Sequence, residues 1–136
     1  MTVNIRRALL VGSSIVVTFA VLRLYLHLSP GTNLNVGAYN IHHLFTGLLL
    51  VTAGGLPLAI FHGDSRRLDF SAVVFGAGLS MGLDEWVYLI TTDGSDASYL
   101  LPVSFWGGAA MVILALIYLL ALVFFARRRV AGRGDG

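Results

Sequence analysis

The sequence predicts an all-α fold: a four-helix transmembrane bundle that forms one domain over residues 1–136. Three observations predict it, namely the composition, four long apolar stretches and the placement of the arginines. Of all residues, 57% are hydrophobic and 12% are charged, whereas a soluble domain carries about 25% charged residues. There is no cysteine, which excludes disulfides and thiolate metal sites. The net charge of +2 gives no reason to expect a nucleic-acid partner.

Four stretches are long enough to cross the hydrocarbon core of a bilayer, which takes about 20 apolar residues in a helix. Short segments rich in glycine, aspartate, asparagine and serine separate them, and this composition predicts turns. We therefore expect spans at about residues 8–28, 40–61, 68–92 and 103–126.

Arginine placement predicts the orientation of these spans. The basic residues are all arginine, and all but Arg23 lie outside the spans, at residues 6–7, 66–67, 127–129 and 133. With four spans, these regions share one side of the membrane, which the positive-inside rule makes cytoplasmic. The loop between the last two spans holds Asp93 and Asp96 instead. We therefore expect a multi-pass protein of the cell (plasma or inner) membrane with both termini in the cytoplasm.

Ionisable residues inside the spans point to a functional site, because such groups are costly in hydrocarbon. The second span opens with His42 and His43, and the third span carries Asp84 and Glu85. Arg23 lies near the outer end of the first span, with His27 four residues later on the same face. All of them fall in the outer half of the predicted bundle. The pattern predicts one polar pocket that opens to the external side.

Two kinds of chemistry fit this pocket. Imidazole and carboxylate are ligands for a divalent transition metal such as Zn, Fe or Mn, so the metal set would be His42, His43, Asp84 and Glu85. Neighbouring helix residues point about 100° apart, so we expect one member of each pair, His43 and Glu85, to face the centre. A metal-free cluster is the alternative, with Asp84, Glu85 and His43 as the candidate catalytic acids and bases.

The remaining polar residues have secondary roles in this prediction. Arg23 is expected to form an ion pair with the acids, because two negative charges would otherwise stay unpaired in a metal-free site. Tyr88 lies one turn after Asp84 and is expected to donate to its carboxylate. His27 is a secondary ligand candidate, and haem ligation through His27 with His42 or His43 is disfavoured.

Small residues predict which spans approach closely. Gly78 and Gly82 are spaced as in the small-xxx-small pattern of membrane helix contacts, and Gly47 offers a small residue on span two. Spans two and three are therefore expected to pack together.

Two motifs resemble a family of small, uncharacterised bacterial four-span integral membrane proteins. The second span begins Ile41-His42-His43, with Gly47 closing an IHHxxxG pattern, and the third span holds Leu83-Asp84-Glu85-Trp86. The resemblance covers about half of the chain. It implies the same four-span architecture and adds weight to the histidine and acid pairs as a site.

The leading functional hypothesis is a metal-binding membrane protein that acts on a lipid or a small periplasmic molecule. One alternative is a non-enzymatic accessory or scaffold subunit whose polar cluster is structural. Another is a small transporter or proton-linked sensor. Whether the protein is an enzyme stays open at this point. Membrane lipid is the expected partner, with contact to a second copy or to another subunit as a further expectation.

Overall fold

The computed structural model describes residues 3–29, 35–36, 39–40 and 42–131. The described helices and strands are, in chain order, α1 (Ile5–Leu28), β1 (Asn35–Val36), β2 (Tyr39–Asn40), α2 (His43–Ile60), α3 (Arg66–Thr91), α4 (Asp96–Tyr99) and α5 (Pro102–Ala131). Four of the helices, α1, α2, α3 and α5, are long and apolar enough to cross a membrane. The expected all-helical bundle with four spans is confirmed, and the protein has the character of a multi-pass membrane protein.

The second span begins later than predicted. Residues near Asn40 belong to a small antiparallel hairpin, in which Asn35 pairs with Asn40 and Val36 with Tyr39. Helix α2 starts at His43, and His42 is its N-cap residue with extended backbone angles of −60° and 145°. Ile41 and residues 30–33 of the predicted turn at 29–33 lie outside the described residues. His42 therefore lies before the helix and not within it, which changes the predicted direction of its side chain.

Helix α3 is the central helix of the bundle and contacts α1, α2 and α5. Against α2, a Cβ atom added at Gly78 would lie 2.6 Å from the carbonyl oxygen of Gly47. Against α1, the Ser80 hydroxyl donates to the carbonyl of Ile15 at 2.9 Å. A side chain at Gly78 would therefore force the backbones of α2 and α3 apart. The predicted close approach of spans two and three is confirmed.

Arginines of two predicted cytoplasmic regions lie at one end of the bundle. Arg6 forms an ion pair with Asp69 of α3 at 2.9 Å, and Arg7 lies 3.5 Å from the same carboxylate. Asn4, the N-cap of α1, donates to Asp64 at 2.7 Å. The starts of α1 and α3 are therefore tied together, as the predicted topology requires. Arg133 lies outside the described residues.

Apolar side chains cover the outside of the bundle while polar ones lie within. Leu49 and Ile90 are each 72% exposed, as expected for surfaces that face lipid. The largest fully buried side chains among the described residues include Tyr88, Glu85 and Asp84. The bundle core thus carries charge near one end, at the acid pair of α3.

The short helix α4 closes that end. Asp93 starts the loop before it and accepts hydrogen bonds from the amide and hydroxyl of Ser95, and these bonds lower the pKa of its carboxyl. Ser95 in turn caps α4. The turn directs the chain back across the end of the bundle, so that Tyr99 is buried above the acids.

Candidate functional site

Asp84 and Glu85 are both buried, with 0% and 1% exposure, although they are adjacent on α3. We expected one member of each pair to face the centre, and for the acids this is wrong. The two carboxylates point to different neighbours, because α3 is surrounded by helices on several sides. Each acid therefore has its own set of partners. We call these sets the two halves of the cluster, the first around Asp84 and the second around Glu85.

Asp84 is the acceptor of the first half. Arg23 donates to its Oδ1 from Nε at 2.8 Å, and Nη2 lies 2.6 Å from the same oxygen. The Tyr99 hydroxyl donates to Oδ2. The predicted pairing of Arg23 with the acids is confirmed, and Asp84 is its partner. This ion pair joins α1 to α3, and Tyr99 adds α4.

The other donors of Arg23 are also occupied. Nη1 donates to the carbonyl of Tyr99 at 3.3 Å and Nη2 to the carbonyl of Ser104 at 2.9 Å. The guanidinium carbon lies 4.2 Å from the centre of the Tyr99 ring, a cation–π distance. A Cβ atom at Gly108 would lie 2.6 Å from Asp84 Oδ1, so α5 closes the remaining side. The Arg23–Asp84 half is therefore a structural contact whose donors and acceptors are occupied within the protein.

Tyr99 takes the role that we predicted for Tyr88. The Tyr88 hydroxyl donates to the carbonyl of Ser95 at 3.0 Å, so the expected bond from Tyr88 to Asp84 is wrong. The reason is the path of the chain through α4, which brings a second tyrosine over the acid. Burial, followed by the negative charge of Asp84, raises the pKa of Tyr99. Its hydroxyl therefore stays protonated and remains a donor.

Glu85 is the acceptor of the second half. Its Oε2 accepts a hydrogen bond from the amide of Leu44 at 2.7 Å. Its Oε1 lies 3.2 Å from His43 Nε2 and 3.5 Å from His42 Nδ1. His42 makes no side-chain capping bond of its own. Glu85 of α3 thus supplies the cap that α2 would otherwise lack, because the first amides of a helix need an external acceptor.

Both histidines face Glu85, which corrects the expectation that only His43 would do so. That expectation assumed that both residues lie within a helix. His42 precedes α2 in an extended conformation, so the 100° separation does not apply. We call His42, His43 and Glu85 the His–Glu group.

The histidines form the accessible side of the cluster. Their side chains are 24% and 23% exposed, whereas the Glu85 side chain is 2% exposed. The Nε2 atom of His43 is itself buried and forms no hydrogen bond in the described part of the chain, although Glu85 Oε1 lies 3.2 Å away. A buried polar atom without a hydrogen bond calls for an explanation.

Aromatic contacts connect the two halves. The ring centres of His43 and Tyr99 are 5.5 Å apart, and those of Tyr88 and Tyr99 are 5.2 Å apart. The ring of His42 lies 6.2 Å from that of Tyr88. Tyr99 therefore touches both the Arg23–Asp84 pair and His43.

A metal site is not supported by the described residues. Within residues 3–29 and 42–131, no group of three or more His, Cys, Asp or Glu side chains is placed to hold a metal ion. Asp84, one of the four predicted ligands, is engaged by Arg23 and Tyr99. His27 is exposed, and it belongs to no metal-binding group within the described residues. The expectation that His27 is a secondary ligand therefore has no structural support.

Sequence reasoning missed Tyr99 and Ser104. Both are buried and both bind Arg23. Tyr99 follows a polar turn and Ser104 lies in the first turn of a span, where tyrosine and serine are unremarkable at a membrane interface. A weak signal for Tyr99 was its position directly before the last span, on the side of the bundle that holds the acids.

The fold and the site define a helical membrane protein with a buried, two-part polar cluster near one end of the bundle. Comparisons with known proteins found no matching family model, no matching curated protein and no matching solved structure. The resemblance of the two motifs to a bacterial membrane family stays a prediction. The functional argument therefore starts from the contacts themselves.

Proposed function

We propose that the protein is a proton-responsive, non-enzymatic membrane protein of the plasma membrane, and that the His–Glu group is its proton-binding site. One observation carries the proposal: Glu85 Oε1 faces two part-exposed imidazoles at 3.2 and 3.5 Å. Imidazole is the side chain whose charge normally changes between pH 5 and 8. A proton bound by either imidazole would place a positive charge next to Glu85.

The other charged groups near Glu85 are paired with each other. Arg23 and Asp84 neutralise each other, and in the described part of the chain no arginine forms an ion pair with Glu85. From α4, Tyr99 presents a hydroxyl that donates to Asp84, and from α5, Ser104 binds Arg23. The two imidazoles are therefore the groups that could supply a positive charge to Glu85.

Protonation would change how α2 is held against α3. With neutral imidazoles, Glu85 is stabilised by the amide of Leu44 and by the positive end of the α2 dipole. With one imidazole protonated, a charge-assisted bond joins the same helices and neutralises the carboxylate. We expect the contact between α2 and α3 to be more stable at acidic pH. This difference in stability is what a partner or the bilayer would respond to.

A purely structural cluster explains the Arg23–Asp84 half well, but it gives no role to two histidines with a quarter of their surface exposed. Transport fits less well, because the ionisable residues inside the spans lie in one half of the sequence-predicted bundle. We therefore favour sensing over both.

The test is a double-mutant cycle between Glu85→Gln and His42→Gln/His43→Gln, measured by thermal unfolding in detergent at pH 6 and pH 8. The coupling energy should be larger at pH 6, by about 1 kcal/mol or more, because only protonated imidazoles form a charged pair with the carboxylate. His62→Gln is the matched control, since His62 is an exposed loop histidine, and it should show no coupling to Glu85.

Equal coupling at both pH values would contradict the proposal. So would a stoichiometric transition metal in the purified protein that disappears in the His42→Gln/His43→Gln variant. The second result would restore the metal hypothesis for the same residues.

A further inference from the structure

A second site lies at the opposite end of the bundle, and it does not depend on the proposed function. We propose that the groove between the end of α2 and the start of α3 binds an anionic phospholipid, with the headgroup phosphate at Arg66 and Arg67. The groove has a volume of about 770 Å³, within the size range of small-molecule sites.

The groove opens where the close contact between α2 and α3 ends. A Cβ atom at Gly54 would lie 2.5 Å from the amide nitrogen of Phe75, so the two helices touch there. Pro57 and Phe61 follow Gly54 and line the groove, opposite Leu68. Its wall is thus apolar and continuous with the lipid-facing surface, since Phe61 is 61% exposed. An acyl chain suits this wall.

The rim of the groove is positively charged. Ser65, Arg66 and Arg67 line it at the start of α3, where a spanning helix meets the headgroup layer. Guanidinium groups bind phosphate through two parallel hydrogen bonds. Basic pockets between membrane helices are typical sites for anionic headgroups.

The acids at this end of the bundle do not neutralise the rim. Asp69 is bound by Arg6 at 2.9 Å, and Asp64 lies 3.9 Å from Arg7. Within residues 3–29 and 42–131, no ion pair includes Arg66 or Arg67. Two uncompensated positive charges above an apolar groove match an anionic phospholipid better than a neutral one.

The test uses the full chain purified in detergent, with short-chain phosphatidylglycerol or phosphatidylcholine added before thermal unfolding. Phosphatidylglycerol should raise the Tm by several degrees, and phosphatidylcholine should have a much smaller effect. In Arg66→Gln/Arg67→Gln, the phosphatidylglycerol concentration needed for the same rise in Tm should be at least ten times higher. The matched control is Arg127→Gln/Arg128→Gln, which removes two exposed arginines of α5 outside the groove and should keep the response.

Phe61→Ser provides a second variant that leaves the arginines in place. It should weaken the response to phosphatidylglycerol, because it removes apolar surface from the groove wall. Three results would overturn the proposal. Both lipids could raise the Tm equally, or Arg127→Gln/Arg128→Gln could lose as much of the response as Arg66→Gln/Arg67→Gln. Alternatively, inorganic phosphate at the same concentration could raise the Tm as much as phosphatidylglycerol does. The last result would show an anion site that does not select a lipid.

Discussion

Asp84 is fully buried, and donors from two other helices meet at its carboxylate. Arg23 of α1 and Tyr99 of α4 each bind one of its oxygens. A buried ion pair adds little net stability compared with an apolar pair, but removal of one partner leaves an unpaired charge and costs about 3–5 kcal/mol. The pair therefore specifies which helices meet more than it strengthens the bundle.

Arg23→Ala should lower the free energy of unfolding by about 3 kcal/mol or more, because Asp84 would lose its counter-charge. Asp84→Asn should also destabilise, since it leaves the guanidinium buried without a negative partner. In Arg23→Ala/Asp84→Asn, part of the loss should be recovered. Chemical or thermal unfolding in detergent measures all three variants, with the exposed Arg127→Ala as control.

Simple addition of the two single losses in that double variant would speak against the contact, because residues that interact directly show non-additive effects. The same cycle between Arg23 and Glu85 should be close to additive, since these two side chains belong to different halves of the cluster.

At the level of elements, α2 is positioned against α3 by two contacts of different kinds. Glycines at Gly47 and Gly78 let the backbones approach. Glu85 then caps the first turn of α2 through the Leu44 amide. Helix association in lipid depends on close contact and on polar bonds, because lipid tails are as apolar as the side chains themselves. Both determinants lie on the same side of α3.

The two glycines of the Gly78-x-x-x-Gly82 motif should respond differently to alanine. At Gly78 a Cβ atom would lie 2.6 Å from backbone atoms of α2, whereas at Gly82 the nearest atom is a Leu44 methyl at 3.7 Å. Gly78→Ala should destabilise by about 1–3 kcal/mol through overpacking. Gly82→Ala should be neutral or stabilise by up to about 1 kcal/mol, because alanine favours helix.

Thermal unfolding of both variants in the same detergent decides this prediction, with Gly82→Ala as the internal control. Equal effects at the two positions would mean that the motif acts through helix propensity and not through contact with α2.

For the whole molecule, charge is separated between the two ends of the bundle. Arg6 and Arg7 lie with Asp64 and Asp69 at one end, and the His–Glu group and the Arg23–Asp84 pair lie towards the other. The positive-inside rule predicts that the arginine-rich end is cytoplasmic. The proposed proton site would then face the outside and the proposed lipid site the inner leaflet.

Single cysteines test this topology directly, because the chain has none of its own. His62→Cys lies in the loop between α2 and α3, and Ala97→Cys lies in α4, both at exposed positions. An impermeant thiol reagent applied to intact cells should label the cysteine at position 97 and should leave that at position 62 unlabelled until the membrane is opened. The reverse pattern would invert the topology and place the His–Glu group in the cytoplasm.

Much of the architecture follows from local sequence properties. Hydropathy predicted four spans to within a few residues, the glycine spacing predicted the contact of α2 with α3, and Arg23 was the cation available for two buried acids. Two features escaped prediction near the site. The paired strands β1 and β2 lie where the second span was expected to begin, and helix α4 places Tyr99 over the acids. Neither feature has a periodic signal in so short a segment.

The sequence by itself determined that this is a helical membrane protein with ionisable groups near one end, because hydropathy and charge are properties that each residue carries alone. Only the tertiary structure decided how those groups are paired. Arg23 meets Asp84 across 61 residues and Ser104 across 81, and Glu85 meets the Leu44 amide across 41. Such partners are selected by the way the helices pack. As a result, Asp84 forms an ion pair with Arg23, whereas the neighbouring Glu85 faces two part-exposed histidines.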